Sequence, residues 1–136
     1  MTSPLSSRSS AIFDLDGDGD LDIVTNDLGS EPMLLVSDLA ERKPPHWLGI
    51  ALFGTASNRS GLGAAVKVSA GGRVQLKHND GKSGYLSQSA LPLYFGLGEA
   101  SKIDRVEVAW PSGRKQVLTE KLRANEVLRV TEPKEP

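Results

Sequence analysis

The sequence predicts an all-β protein: one hairpin repeat built around an acidic loop, followed by a β-sandwich or barrel-like domain of short antiparallel strands. Three observations carry that expectation. Apolar and polar residues alternate over short runs separated by turn signals, at roughly 8–12-residue spacing. Fourteen glycines and eight prolines in 136 residues are scattered between those runs, as turns between strands require. The second half keeps no helical period beyond one turn near residues 120–124.

Residues 1–10, MTSPLSSRSS, hold one arginine and no apolar run. They are expected to be a disordered lead-in rather than a signal peptide; if the protein is secreted, its signal is expected upstream. Two β-prone pieces follow, AIF at 11–13 and LDIVT at 21–25. Between them Asp14, Asp16, Asp18, Asp20 and Asp22 fall at every second position. Five carboxylates this close repel one another unless a cation sits among them. Hard oxygen ligands in that number suit Ca²⁺, which takes six to eight oxygens at about 2.3–2.6 Å, whereas Mg²⁺ prefers fewer carboxylates and keeps its water. Gly17 and Gly19 let the backbone coil around such an ion because they accept positive φ. In that coil Asp14, Asp16, Asp18 and Asp22 are expected to ligate by side chain. Asp20 is expected to ligate through its backbone carbonyl, its side chain turned to solvent or behind the ligands.

An EF-hand loop opens the same way but closes on a bidentate Glu at its twelfth position. Here that position is Thr25, and the flanks are β-branched. An EF-like loop on a β-hairpin is therefore expected. Its pattern, D-x-D-G-D-G-x-x-D over 14–22, resembles the calcium-binding FG-GAP or VCBS-type repeats of integrin-like β-propellers, across about residues 10–40. The resemblance implies bound Ca²⁺. One repeat cannot close a propeller, because repeats bury their faces on neighbours. It therefore implies a truncated last blade or a lone repeat packed on the next domain.

A third strand is expected at 33–36 (MLLV), and ERKPPH at 41–46 stops any regular element. The organisation that results is a linker at 1–10, a partial calcium-binding repeat at 11–43, a β-domain at 44–132 and a tail at 133–136. Within the β-domain, WLGIALF at 47–53 is a strand and 54–63 a Gly/Ser-rich loop. Residues 64–78 are a hairpin turning at Ala70-Gly71-Gly72, with Val66 and Val68 against Lys67, and Val74 and Leu76 against Gln75 and Lys77. A buried strand is expected at 93–97, a second hairpin at 105–119 around Pro111-Ser112-Gly113, and a last strand at 125–131. Trp47 and Trp110 are expected in the core. After the 79–84 loop, Tyr85, Ser87, Gln88 and Ser89 form a polar-aromatic cluster. They are a candidate ligand surface, with Tyr85 stacking on a sugar and its neighbours bonding hydroxyls.

Several stretches of this half match a known pattern. They are His46-Trp47-Leu48, Ser57-Asn58-Arg59-Ser60-Gly61-Leu62-Gly63-Ala64, Ala70-Gly71-Gly72-Arg73, Ser83-Gly84-Tyr85-Leu86-Ser87-Gln88-Ser89, Phe95-Gly96-Leu97-Gly98 and Val106-Glu107-Val108-Ala109-Trp110-Pro111-Ser112-Gly113. Over 46–131 they resemble the ASPIC/UnbV domain, which follows FG-GAP-type repeats in secreted and surface proteins. That resemblance implies an architecture and no settled biochemical activity.

Composition narrows the function classes. There are no cysteines, hence no disulfides, no thiolate metal site and no cysteine nucleophile. Residues 1–43 carry nine acidic residues against three basic, a net −6, while the remainder is +5. No basic run supports nucleic-acid binding. No apolar run approaches the roughly 20 residues that span a bilayer, so membrane insertion is not expected. His46 and His78 stand apart, and no G-x-S-x-G elbow exists, so no enzyme is expected. Asn58-Arg59-Ser60 is a glycosylation sequon, relevant if a eukaryote secretes the chain. The expected function is a non-enzymatic, calcium-binding extracellular or cell-envelope module that adheres to a protein or glycan at the cell surface. The alternative is a carbohydrate-binding module, free-standing or attached to an enzyme.

Overall fold

The alternating, turn-rich sequence puts about half of its residues into strands, and nearly all of its regular structure is β. The computed structural model describes residues 7–42, 44–82, 84–88 and 92–134, and among them ten strands and one four-residue helix form. The chain divides into two units, residues 1–44 with 81–90, and residues 45–80 with 91–136. Among the described residues no helix is long and apolar enough to cross a membrane.

In the first unit β1 (Ser7–Phe13) pairs antiparallel with β2 (Asp22–Asp27), placing Phe13 opposite Asp22 and Ala11 opposite Val24. β3 (Leu34–Leu35) joins the other side of β2, with Leu35 opposite Ile23. The hairpin expected around the acidic loop is thus present, and strands rather than helices flank the loop. β1 starts at Ser7, so it takes in the last four residues of the stretch expected as a linker. The Ser7 hydroxyl donates to the carboxylate of buried Asp27 and fixes that start. A one-turn helix, α1 (Leu39–Arg42), stands where the Pro-rich boundary predicted no regular element. An Asp38–Arg42 ion pair at 2.6 Å spans it, though pairs this exposed contribute only about 0.3–0.5 kcal/mol. The buried residues described in this unit are Asp20, Asp22 and Asp27. Of its apolar side chains Phe13, Ile23 and Val24 are half-buried, while Leu34 and Val36 lie open, 51% and 54% exposed.

The second unit holds β4 (His46–Phe53), β5 (Ala65–Ala70), β6 (Arg73–His78), β7 (Leu93–Gly98), β8 (Ile103–Ala109), β9 (Lys115–Leu118) and β10 (Glu126–Thr131). They form a three-stranded sheet in the order β10-β4-β7 and a four-stranded sheet in the order β6-β5-β8-β9. Both expected hairpins, β5–β6 and β8–β9, pair antiparallel. β10 departs from the antiparallel expectation and runs parallel to β4. The chain leaves β9 at the edge of one sheet and re-enters at the edge of the other. Asn125 secures the re-entry. At φ 63° its amide donates to the Trp47 carbonyl, and its side-chain oxygen accepts the Trp47 amide. A short amide side chain tolerates that left-handed conformation better than most.

Alternation supplies the core. Leu48, Ile50 and Leu52 of β4 meet Phe95 of β7 and Val130 of β10 from one sheet, and Val66, Val68, Val106 and Val108 from the other, in one buried cluster. Trp110 closes it at 3% exposure. Trp47, expected in the core, is only half-buried, its ring 5.5 Å from that of Tyr94. β6 reverses the usual sense of alternation. Its register sets Leu76 opposite Lys67 and Val74 opposite Ser69. Because strand side chains alternate faces, Val74 and Leu76 stand on the outer face, 62% and 56% exposed. Gln75 turns the other way and donates to the Gly96 carbonyl at 2.7 Å, and the Lys77 ammonium sits 5.5 Å from the Phe95 ring centre.

Candidate metal centre and the carboxylate clamp

The acidic loop coils as its glycines allow, with Gly17 at φ 82° and Gly19 at φ 96°. Carboxylate oxygens of Asp14, Asp16 and Asp18 lie within 4.8 Å of one another. Ligands about 2.4 Å from a shared Ca²⁺ are at most that far apart, so the spacing fits the ion. The loop holds these side chains through its own backbone. Asp14 accepts from the Gly17 amide at 2.7 Å and the Gly19 amide at 3.2 Å, and Asp18 accepts from the Asp20 amide at 3.0 Å.

Asp20 and Asp22 stand outside this triad of carboxylates. Asp22 is 1% exposed, accepting the Leu15 amide on one oxygen and the Ser37 amide on the other, at 2.8 and 2.9 Å. It ties the loop to the segment after β3. The Asp20 side chain is buried rather than turned to solvent, because its Oδ2 caps the Ala40 amide of α1 at 2.8 Å. Its Oδ1 is buried without a hydrogen-bond partner. An orphaned carboxylate oxygen is costly to bury, and a cation is one group that satisfies it. The donor set therefore fits Ca²⁺: three clustered hard carboxylates, with two more buried beside them in sequence.

The candidate ligand surface falls on a turn. Gly84 and Ser87 form an isolated bridge, and Tyr85 and Leu86 between them project 71% and 79% exposed. Leu86 sits at φ 52°, an uncommon conformation for a bulky residue. Gln88 comes next, exposed; Ser89 lies outside the described residues.

The second unit contains a polar constellation that sequence reasoning missed. Glu132, just past β10, is 1% exposed. Its Oε2 accepts the consecutive amides of Thr55, Ala56 and Ser57 at 2.8, 2.9 and 2.7 Å. Its Oε1 accepts the hydroxyls of Ser57 and Ser112, and the Arg114 guanidinium is 3.9 Å away. Burial pushes the carboxyl pKa up, but the bonds from Ser112, Ser57 and Thr55 outweigh it and hold the group at about 2, against an ordinary 4.5. Three chain segments are thereby clamped together: the 54–63 loop, the 110–114 turn and the C-terminal strand. Asn58 braces the same loop by bonding both ways with the Leu62 backbone. Buried Asn79 reaches in from the end of β6 to donate to the Ser60 carbonyl.

These features define an all-β, sandwich-like domain with a clamped Ser/Gly loop, joined in one chain to an acidic hairpin. Residues 54–136 match the family described as ASPIC and UnbV, and the chain belongs to that family. The matched region opens at the first residue of the clamped loop and includes Glu132. A search of curated proteins gave no match.

Proposed function

We propose that the chain is a non-enzymatic, calcium-stabilised extracellular or cell-envelope module whose acidic hairpin is an FG-GAP/VCBS-type repeat. The observation that carries this reading is the Asp14, Asp16 and Asp18 cluster, with oxygens within 4.8 Å on a glycine-coiled loop. The orphaned Asp20 Oδ1 supports it. The ion neutralises charge that would otherwise oppose folding of the hairpin. Metal binding is folding free energy wherever the site does not pre-exist in the unfolded chain. That matters most in a unit whose described buried residues are all aspartates. Loops tuned to about 10⁻⁴–10⁻³ M affinity suit extracellular calcium. The open apolar side chains Ile12, Leu34 and Val36 favour a repeat that completes its packing on a neighbouring surface, consistent with adhesion.

Hydrogen exchange of residues 11–27 tests the proposal. Ca²⁺ slows exchange of the hairpin amides relative to EGTA, and Asp16→Ala with Asp18→Ala removes the difference. Equal exchange in Ca²⁺ and EGTA overturns it.

A second reading is a carbohydrate-binding module, favoured by one observation: the Tyr85 ring stands 71% exposed at a turn tip, open to stacking on a sugar. Loss of glycan binding in Tyr85→Ala supports that reading, and an unchanged affinity removes it.

A further inference from the structure

The outer face of the four-stranded sheet carries a depression that neither the acidic loop nor the Tyr85 turn explains. One ladder row crosses all four strands there: Leu76, Lys67, Glu107 and Val117. In the next row Ala65 and Ala109 stand opposite each other on the two central strands, with Lys115 beside them on β9. Two alanines between long side chains leave an open cavity of about 400 Å³. That lies within the range small-ligand sites occupy, about 300–1,000 Å³.

The chemistry of its walls selects the ligand. Lys67, Arg105 and Lys115 set three cations against one carboxylate, Glu107. Glu107 bridges Lys67 at 3.5 Å and Arg105 at 2.6 Å, whereas Lys115 makes no ion pair among the described residues. Three cations against one carboxylate leave the face two negative charges short, and Lys115 is the cation that Glu107 does not reach. Leu76 and Val117, 56% and 50% exposed, supply aliphatic walls on opposite edges. The lining contains no aromatic ring, so aromatic stacking holds no sugar here, and a neutral sugar, lacking an anionic group for Lys115, is left with aliphatic and hydroxyl contacts alone. The floor is formed by β5 and β8, whose backbones are already paired on both sides. An extended peptide docks through main-chain bonds to a free edge, and this floor offers none. A sugar ring needs none: its C–H face covers the alanines and aliphatic walls, its hydroxyls donate to Glu107, and a ring carboxylate meets Lys115.

We propose that this face, centred on Ala65, Ala109 and Lys115, binds a uronate-bearing polysaccharide. The proposal is independent of the calcium reading, and its test is run in EGTA at fixed salt so that metal bound at the acidic loop does not enter. The full chain is titrated calorimetrically with oligogalacturonate, with a neutral maltooligosaccharide and with poly-L-glutamate. Oligogalacturonate is expected to bind, and the other two to bind at least about tenfold more weakly. Lys115→Glu, which reverses the unpaired charge, and Ala109→Leu, which fills the depression, should each weaken oligogalacturonate about tenfold or more while leaving the melting curve unchanged. No binding of oligogalacturonate overturns the proposal. So does equal binding of poly-L-glutamate, which would mark the face as a general anion or acidic-peptide surface. Undiminished affinity in both variants, folded by the same melting criterion, overturns the location.

Discussion

Ser57 meets Glu132 twice: its amide donates to Oε2 at 2.7 Å and its hydroxyl to Oε1 at 2.9 Å. A buried carboxylate with this many donors stabilises the fold only while it is ionised. The folded chain holds its pKa at about 2, below the ordinary 4.5. The stability it contributes is therefore complete above pH 4.5 and is lost as pH falls from there towards 2. Urea unfolding of the wild type should show stability declining across that window. Glu132→Gln, which has no carboxylate to protonate, is expected to be less stable at neutral pH and to flatten the decline. An equally steep decline in the variant would remove Glu132 as its cause.

Gly54 opens the clamped loop, its amide bonded to the Arg59 carbonyl. A Cβ there would overlap the carbonyl oxygen of Asn58, which belongs to the backbone and cannot swing away. Gly96 on β7 has nothing within 4 Å of the same added atom. Gly54→Ala should cost well above the about 1 kcal/mol typical of point substitutions, while Gly96→Ala should stay within about 0.5 kcal/mol. Chemical denaturation compares the two, and equal effects would contradict the packing described for the loop.

Val66 and Val74 lie on paired strands, yet one is fully buried and the other 62% exposed. Val66→Ala should cost about 2–3 kcal/mol, and Val74→Ala no more than about 0.5 kcal/mol. Similar losses at both positions would mean that β6 turns its apolar face inward.

That pair of valines also marks the limit of what the chain reveals by itself. Alternation disclosed both hairpins and their turns, because period and turn chemistry are local. It did not disclose which side of β6 faces the core, because that depends on its register against β5. The acidic triad was legible for the same local reason: Asp14, Asp16 and Asp18 need only the coil that Gly17 and Gly19 permit. The roles of Asp20 and Asp22 were not legible. Their partners are the amides of Ala40 and Ser37, 20 and 15 residues away, and an amide carries no sequence signature. Glu132 was hidden likewise. A lone glutamate after a strand looks solvated until the chain brings the 55–57 amides around it. The parallel entry of β10 depends on a crossing between sheets that composition does not encode.

The Asp-rich loop makes a stability prediction of its own. Ca²⁺ should raise the melting temperature of the wild type, and Mg²⁺ at the same concentration should do so less, since it keeps its water and resists a multi-carboxylate cage. Asp22→Asn is expected to weaken the Ca²⁺ effect only in part. It stays outside the carboxylate triad, and an amide can accept only one of the two backbone bonds on its oxygen. A loss as complete as that from the triad would place Asp22 directly on the ion.

The most direct measurement is a calorimetric Ca²⁺ titration of the wild-type chain beside Asp16→Ala/Asp18→Ala. Saturable binding at a single site is expected in the wild type and none in the double variant. No saturable heat in the wild type, or an unchanged isotherm in the variant, would contradict calcium binding at the Asp14, Asp16 and Asp18 cluster.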